Sequence, residues 1–404
     1  MRSPTENQDK TSMAAATATA MPVLFALSFS HFLNDMMQQL VPAIYPIIKP
    51  AFGLDYGQIG LITFAFQICA SMFQPVVGFY TDRRPQPFSL VVGMGCSLAG
   101  LLVLAYAGSY PQLLLGAALI GTGSSIFHPE ATRMVRLASG GRHGFAQSVF
   151  QVGGYAGSAS GPLLAAFIVV PRGQTSLVWF ALAALLAMVV LSQIGFWYRR
   201  HVSARQNARP AETTALPRRG VVFAIFIIVM LMLSKSAYTA SLSSYYTFYL
   251  LGRFEVSVQV SQMMLFLFLA SQPIGTLIGG FIGDAFGRRQ IIWFSILGAL
   301  PFTLALPYVD LLWTGILTVI IGIIMASAFP AILVYAMDLL PGRLGLVAGV
   351  FYGLSFGLGG VSAALLGELA DFTSISFVFH LCSFLPLIGL LAWFLPEVGR
   401  DAKS

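Results

Sequence analysis

The sequence has little charge. Only 9% of its 404 residues are Asp, Glu, Lys or Arg, whereas about a quarter is typical of soluble domains. Hydrophobic residues make up 57% of the chain, and this composition excludes an ordinary soluble globular protein. The net charge of +7 does not indicate a nucleic-acid partner, because the basic residues lie at the ends of apolar runs, as membrane anchors do. We therefore expect an integral membrane protein in a lipid bilayer, with no nucleic-acid partner.

Cysteine pairs and a leader pattern are also missing. The three cysteines, Cys69, Cys96 and Cys382, lie inside apolar runs and form no C-x-x-C motif. This placement favours buried small hydrophobes over metal or redox sites. Residues 1–20 lack the basic, apolar and small-residue sequence of a removable signal peptide, so we expect the first apolar span to be retained.

Charged residues are absent from long intervals, and these intervals divide the chain into spans. Intervals without charge include 56–81, 143–171 and 311–337, while 85–129 is long enough for two spans. The twelve resulting runs are each near the ~20 residues that a bilayer core requires of a helix. They lack the strict alternation of barrel strands, and a lipid-exposed backbone must satisfy its hydrogen bonds internally. The sequence thus predicts an all-α membrane protein with twelve transmembrane helices.

The basic residues predict the orientation of these helices. With a cytoplasmic N-terminus, eighteen Lys and Arg residues fall on the inner side and three on the outer side. Because inner loops carry the excess of basic residues, both termini are expected in the cytoplasm. We expect a multi-pass membrane protein.

The chain divides into two similar halves. We expect an N-terminal tail (1–20), a six-helix half (21–198), a polar linker (199–220), a second six-helix half (221–396) and a C-terminal tail (397–404). The segment 78–84 (GFYTDRR) follows the second span, and 280–289 (GFIGDAFGRR) follows the eighth. Since each half has an even number of spans, the repeats are expected to be parallel and related by an axis along the membrane normal.

These repeated loop segments resemble the major facilitator superfamily. Longer segments resemble its fosmidomycin-resistance branch: residues 30–35 (SHFLND), 74–78 (QPVVG), 121–130 (GTGSSIFHPE), 139–144 (SGGRHG) and 243–249 (SSYYTFY). The resemblance implies a two-half carrier of the bacterial inner membrane, expected to be a monomer, that exports the phosphonate antibiotic fosmidomycin. It also implies that protons drive export and that no cofactor is required.

His31 and Asp35 lie four residues apart in the first span, so they share one helical face. A charge at bilayer depth costs at least ~2.5–3.5 kcal/mol on insertion scales and normally faces an interior cavity. We interpret the pair as a candidate proton site, since imidazole changes charge near neutral pH. The alternative is a structural pair that fixes the first span to a neighbour.

His128 and Glu130 flank Pro129 in the fourth span and form a second candidate proton site. Glu130 also has the i,i+3 spacing of an ion pair with Arg133, which would make it structural. In the second half, Phe329 stands at the position of His128, so the repeat does not duplicate these ionisable groups. That difference favours a role in function over a role in the scaffold.

Lys235 lies deep in the seventh span, 16 residues after Arg219, the nearest loop charge. A buried ammonium can bind a phosphonate or carboxylate as a point charge. Lys235 is therefore a candidate for binding a small-molecule drug or organic anion, and a salt bridge to Asp35 is the alternative. Tyr238 and Tyr245 follow it on roughly one face and are candidate hydroxyl donors.

Polar stripes on two other spans are candidate cavity walls. Gln147, Gln151 and Tyr155 follow one another at intervals of four on the fifth span, and Gln67 lies on the second. Such stripes also serve as contacts between membrane helices, so both interpretations stay open.

Charged residues at the inner ends of the helices are candidate gating residues, because breaking ion pairs there would let one half rock against the other. They are Asp82, Arg83, Arg133, Arg142, Asp284, Arg288, Arg289 and Arg343.

The sequence predicts a transporter rather than an enzyme. A membrane enzyme would need a paired carboxylate or a closed metal-ligand set, and the His128–Glu130 segment lacks further ligands at suitable spacing, so we expect no metal site. Proton-coupled uptake or exchange of a small metabolite is the alternative transport function. A sensor with the same fold is the other possibility.

Overall fold

The structure is a computed structural model that describes residues 20–84, 86–140, 143–201, 217–286, 288–327, 329, 332, 335–336, 339 and 344–396. These residues form helices and connecting turns, with no strand among them. The first six helices are α1 (Met21–Ala43 and Tyr45–Phe52), α2 (Tyr56–Arg83), α3 (Ser89–Ala105), α4 (Tyr110–Ala138), α5 (His143–Leu164, Ala165–Val169 and Val170–Arg172) and α6 (Gln174–Phe180 and Ala181–His201). The other six are α7 (Arg218–Phe254), α8 (Val258–Phe286), α9 (Arg288–Leu297, Leu300–Ala305 and Leu306–Tyr308), α10 (Leu311–Ala326), α11 (Leu344–Phe372) and α12 (Ile375–Cys382 and Leu385–Phe394).

The helices have the length and composition of membrane spans. Among the described residues, eight helices are long and apolar enough to cross a membrane, and α3 and α10 are shorter apolar helices. The remaining two, α1 and α4, carry the His, Asp and Glu residues singled out above. The predicted twelve-helix architecture is confirmed.

Helix ends follow local chemistry. Asp55 begins α2 with a reciprocal capping box, in which its carboxylate accepts from the Gln58 N–H at 2.6 Å and the Gln58 side chain accepts from the Asp55 N–H at 3.0 Å. Gly53 ends α1 in the left-handed conformation with φ of 63°, which costs glycine little. In α5, a π-helical turn (Ala165–Val169) follows Pro162, because proline removes a hydrogen-bond donor from the helix interior.

Glycines let neighbouring helices approach closely. A Cβ atom on Gly153 or Gly157 of α5 would overlap the backbone of α1. In the second half, a Cβ atom on Gly275 of α8 would overlap the backbone of α10 at Ile323. Because lipid gives no hydrophobic drive between helices, close packing of this kind supplies much of their attraction.

The two halves meet along α2 with α11 and along α5 with α8. At the end of the bundle where α2 begins, the Asp371 carboxylate of α11 accepts the backbone N–H groups of Tyr56 and Gly57 at 2.9 and 2.6 Å. There too, the Gln262 side chain of α8 donates to the Ala43 carbonyl of α1 at 2.9 Å. These contacts join the halves at that end.

Candidate functional site

A cavity of about 270 Å³ lies between the two halves. Side chains of α1, α2, α4 and α5 form one wall, and side chains of α7, α8 and α11 with Phe329 form the other. Seven residues singled out in the sequence line it together: His31, Asp35, Gln67, His128, Gln151, Tyr155 and Lys235. The structure therefore collects most of the membrane-embedded ionisable residues in one place.

The first wall carries a cluster of His31, Asp35 and His128, which we call the His–Asp–His cluster. The Nε2 atom of His31 lies 3.3 Å from Asp35 Oδ2, and the Nε2 atom of His128 lies 3.7 Å from Asp35 Oδ1. The sequence predicted two separate pairs, one on α1 and one on α4. The structure instead joins His128 to the α1 pair, across 93 positions of sequence.

Backbone carbonyls fix the direction of both imidazoles. His31 Nδ1 lies 2.8 Å from the Phe150 carbonyl, and His128 Nδ1 lies 3.0 Å from the Ser124 carbonyl. A carbonyl oxygen can only accept, so each Nδ1 carries a proton. Each ring then turns its Nε2 towards the Asp35 carboxylate.

Two amide side chains of α1 also hold the Asp35 carboxylate. Asn34 Nδ2 and Gln38 Nε2 donate to Asp35 Oδ1 at 3.0 and 3.2 Å. Ser124 Oγ in turn donates to Gln38 Oε1 at 3.1 Å and lies 3.2 Å from His128 Nδ1. The cluster is thus tied across α1 and α4 by a continuous set of hydrogen bonds.

The His31 ring fits a tight slot between α1 and α5. It stacks on Phe150 with ring centroids 4.0 Å apart, and it is 3% exposed. A Cβ atom on Gly154 would overlap the ring. Gly154 is therefore needed for the position of His31. The four-residue spacing of Phe150 and Gly154 on α5 is the sequence signal that both lie on one face of that helix.

The opposite wall carries Lys235. Its Nζ atom lies 5.1 Å from the centre of the Phe329 ring. No carboxylate oxygen lies within 4.0 Å of this ammonium in the part of the chain that the structure describes, so the alternative salt bridge to Asp35 is absent. A cation beside an aromatic face, without an anionic partner, is available to a ligand anion.

The polar face of α7 differs from the one expected. Ser236, Thr239 and Ser243 line the cavity beside Lys235. Tyr238 is buried away from the cavity, and Tyr245 donates its hydroxyl to the Ala363 carbonyl at 2.6 Å. The two tyrosines are thus packing residues here, and the four-residue spacings from Lys235 to Thr239 and from Thr239 to Ser243 are the signal for the correct face.

Gln147 does not line the cavity either. It contacts Tyr352, which does. Gln151 and Tyr155, one and two turns further along α5, reach the cavity directly.

Glu130 points away from the cavity. Ser89 of α3 donates to its carboxylate at 3.1 Å, and Arg133 Nη1 lies 3.7 Å away, which is the i,i+3 pair expected from the spacing. Arg133 also donates from Nε to the Tyr198 hydroxyl at 3.0 Å and from Nη1 to the Thr81 carbonyl. These contacts join α2, α3, α4 and α6 within one half.

The other proposed gating residues are described only in part. Arg289 donates to the Trp393 carbonyl, which joins α9 to α12. The side chains of Asp82, Arg83, Asp284 and Arg288, and the whole of Arg142 and Arg343, lie outside the described residues. Their gating role stays a prediction.

The His–Asp–His cluster is also a possible metal-ligand set. One ligand atom from each of its three residues lies within 4.8 Å of the others. The sequence predicted no metal site, because His31 and His128 lie on different helices. The packing of α1 against α4 makes them neighbours.

Comparison with known proteins agrees with this architecture. A family model described as Major Facilitator Superfamily matches residues 27–364 and 252–404. The chain is 56% identical over 380 residues to the fosmidomycin resistance protein of Escherichia coli (strain K12), with 94% of each chain covered. It is 40% identical over 385 residues to an uncharacterized MFS-type transporter, YfnC, of Bacillus subtilis (strain 168), again with 94% of each covered.

A solved structure shares the fold at low identity. A bacterial homologue of the human lysosomal transporter Spinster, in an inward-facing and occupied conformation, matches with a TM-score of 0.71 and 15% identity. The match covers 93% of this chain and 94% of that one.

Proposed function

This chain belongs to the major facilitator superfamily, in its fosmidomycin-resistance branch, and we propose that it exports fosmidomycin-like phosphonates from the cytoplasm by proton-coupled alternating access. As a member of that superfamily, it is a multi-pass membrane transporter and not an enzyme. The observation that carries this proposal is the cavity between the halves. It places the Lys235 ammonium on one wall and the His–Asp–His cluster on the other.

The cavity has the chemistry of an anion site. A phosphonate oxygen accepts hydrogen bonds, and an ammonium donates three of them as a compact charge. Gln67, Gln151 and Tyr155 add further donors around the same space. Bringing an anion to Lys235 would compensate a cation that has no acidic partner within 4.0 Å among the described residues.

Proton coupling would use the first wall. Imidazole changes charge near neutral pH, and this cluster places two imidazoles beside a carboxylate. A ligand shifts a conformational equilibrium only through different affinities for the two states. Protonation of the cluster would therefore have to change the contact with substrate or the contact between α4 and α11, where His128 lies 5.6 Å from the Phe356 ring.

The orientation follows from the basic residues. With both termini in the cytoplasm, the end of the bundle where Asp371 contacts Tyr56 and Gly57 is the outer end. The described conformation is then closed towards the outside. Placement in the inner membrane completes the proposal.

Transport in inverted membrane vesicles tests the proposal. Vesicles with the cytoplasmic face outside and an acidified interior should accumulate radiolabelled fosmidomycin, and a protonophore should prevent it. Lys235→Met should abolish accumulation, whereas the control Lys49→Met should not, because Lys49 Nζ donates to the Leu54 carbonyl at the end of α1, outside the cavity. Absent accumulation, or accumulation that resists the protonophore, would contradict proton-driven export; substrate moving only in the opposite direction would indicate uptake.

A further inference from the structure

We propose that the His–Asp–His cluster is a binding site for one divalent transition-metal ion of the zinc class. His31 Nε2, His128 Nε2 and an oxygen of Asp35 are the ligand atoms. The inference rests on the geometry of these three residues and goes beyond the proposed export of phosphonates.

The ligand atoms have nearly the spacing that a metal ion requires. Zinc binds imidazole nitrogen and carboxylate oxygen at ~2.0–2.2 Å, so ligands of a tetrahedral site lie roughly 3.4 Å from one another. The two histidine nitrogens lie 3.3 and 3.7 Å from the carboxylate oxygens of Asp35, and all three ligand atoms lie within 4.8 Å. Small side-chain movements would complete the geometry.

The outer contacts are those of a metal site. A metal-binding histidine usually donates its other ring N–H to a carbonyl or carboxylate, which fixes the ring and its protonation state. His31 donates Nδ1–H to the Phe150 carbonyl, and His128 donates Nδ1–H to the Ser124 carbonyl. The ligating carboxylate is held in turn by Asn34 and Gln38. Each of the three ligands thus has its own supporting contact.

The Nε2 atoms of both histidines face the Asp35 carboxylate. Each Nδ1 donates to a backbone carbonyl, so Nε2 is the nitrogen of each ring that is left to bind a ligand. His31 Nε2 is buried and has no hydrogen-bond partner in the part of the chain described. A cation between the three ligand atoms would satisfy all of them together.

The site would stay open on one side. Three protein ligands and a free position are typical of zinc sites that exchange a water or substrate. All three residues line the cavity, so the fourth ligand would be water or an oxygen donor within that space.

Cobalt binding to the purified, tag-free full-length protein tests this proposal. Co²⁺ that is bound by nitrogen in a four- or five-coordinate site absorbs visible light far more strongly than the hydrated ion. We expect one saturable Co²⁺ per chain, displaced by Zn²⁺. Asp35→Asn and His128→Gln should each weaken binding by at least about 100-fold, which is the upper range for removing only a supporting contact.

His380→Gln is the matched control. His380 also places Nδ1 against a carbonyl one turn earlier, that of Ser376 at 2.7 Å, but it lies outside the cavity. Its replacement should leave Co²⁺ binding unchanged. Gel filtration confirms that each variant is folded.

Two results would overturn the metal site. One is unchanged Co²⁺ affinity in a folded His128→Gln or Asp35→Asn variant. The other needs no variant: a wild-type spectrum identical to that of hydrated Co²⁺ would show that no such ligand set forms. A proton and the metal ion would occupy the same ligand atoms in turn, so either result above overturns the metal site alone. The vesicle experiment measures phosphonate export separately, and failed export would leave a measured metal site intact.

Discussion

The two walls of the cavity carry different ionisable groups at related positions of the sequence repeat. On the first wall, His128 lies 3.7 Å from Asp35. On the second, the Lys235 ammonium lies 5.1 Å from the Phe329 ring. Phe329 follows His128 by 201 positions, and Lys235 follows Asn34, the neighbour of Asp35, by the same number. A repeated scaffold thus supplies an acid–imidazole cluster in one half and, in the other, a cation that has no carboxylate within 4.0 Å among the described residues.

The difference shows what the repeat preserves. Close helix packing through glycine recurs at equivalent positions, because Gly121 of α4 lies against Phe66 of α2 and Gly322 of α10, 201 positions later, lies against Phe268 of α8. Packing must be preserved in each half because both fold by the same contacts. The chemical character of the cavity side chains need not be preserved, because the two walls face one shared ligand from opposite sides.

Replacing His128 with Phe, the residue at the equivalent position of the second half, should have the largest effect on export. His128→Phe removes the imidazole that faces Asp35, and the proposed coupling needs this imidazole to take up a proton. We expect export in vesicles to fall to background at normal protein level. His380→Gln should export normally, and substantial export by His128→Phe would show that the imidazole is dispensable.

Changing the shape of the cation should have a smaller effect. Lys235→Arg keeps the positive charge, but a planar guanidinium binds an anion with a different geometry and fills more of a 270 Å³ cavity. Export should fall about tenfold, between wild type and Lys235→Met. If Lys235→Arg and Lys235→Met were equally inactive, the positive charge alone would not explain the contribution of Lys235 to export.

Displacing His31 without changing its chemistry tests the slot on α5. In Gly154→Ala, the new Cβ atom overlaps the imidazole, so the ring must move away from Asp35. We expect export to fall roughly tenfold, because overpacking of this kind typically costs about 1–3 kcal/mol and here moves the imidazole away from Asp35. Gly252→Ala, where no atom lies within 4 Å of the new Cβ, is the control and should be unaffected. Equal activities of the two variants would argue against the slot.

Removing the buried carboxylate outside the cavity should change stability and not transport. Glu130→Gln loses the charge that faces Arg133 while keeping an acceptor for Ser89. We expect a loss of about 1–3 kcal/mol in the free energy of unfolding, seen as a lower melting temperature in detergent. Export per folded molecule should be unchanged. A selective loss of export at full stability would return Glu130 to the list of coupling residues.

Loosening the closed end should have the smallest effect. Asp371→Ala removes the acceptor for two N–H groups at the start of α2, each worth about 0.5–1.5 kcal/mol. In a cysteine-free background, Ser243→Cys in the cavity should then react a few-fold faster with an outside thiol reagent. Asp310→Ala is the control, because Asp310 caps its own helix at Trp313. Equal labelling in both variants would remove Asp371 from the contact that closes this end.

Much of the fold could be predicted from the sequence, because it depends on local patterns. Charge-free intervals defined the twelve helices, and the four-residue spacing of His31 and Asp35 placed them on one face. The i,i+3 spacing of Glu130 and Arg133 likewise predicted their contact. Each of these statements needs only helix geometry and the bilayer thickness.

The site was less predictable, because it depends on how helices rotate against one another. Nothing local joins His128 to Asp35, which are brought together by the packing of α1 on α4. On α7, residues that are apolar on all sides give little indication of which face lines the cavity. The sequence therefore favours Tyr238 as a substrate contact, whereas Thr239 is the residue that lines the cavity. The rotation of a membrane helix is set by its neighbours, and a single sequence does not contain those contacts explicitly.

The most direct measurement is the affinity of the purified protein for fosmidomycin, compared between wild type and Lys235→Met by isothermal titration calorimetry. We predict one saturable site in the wild type and affinity at least tenfold weaker in the variant, because a hydrogen bond to a charged group is worth about 1.5–3 kcal/mol. Equal affinities in the two proteins would contradict an anion site built on Lys235 between the two unlike walls.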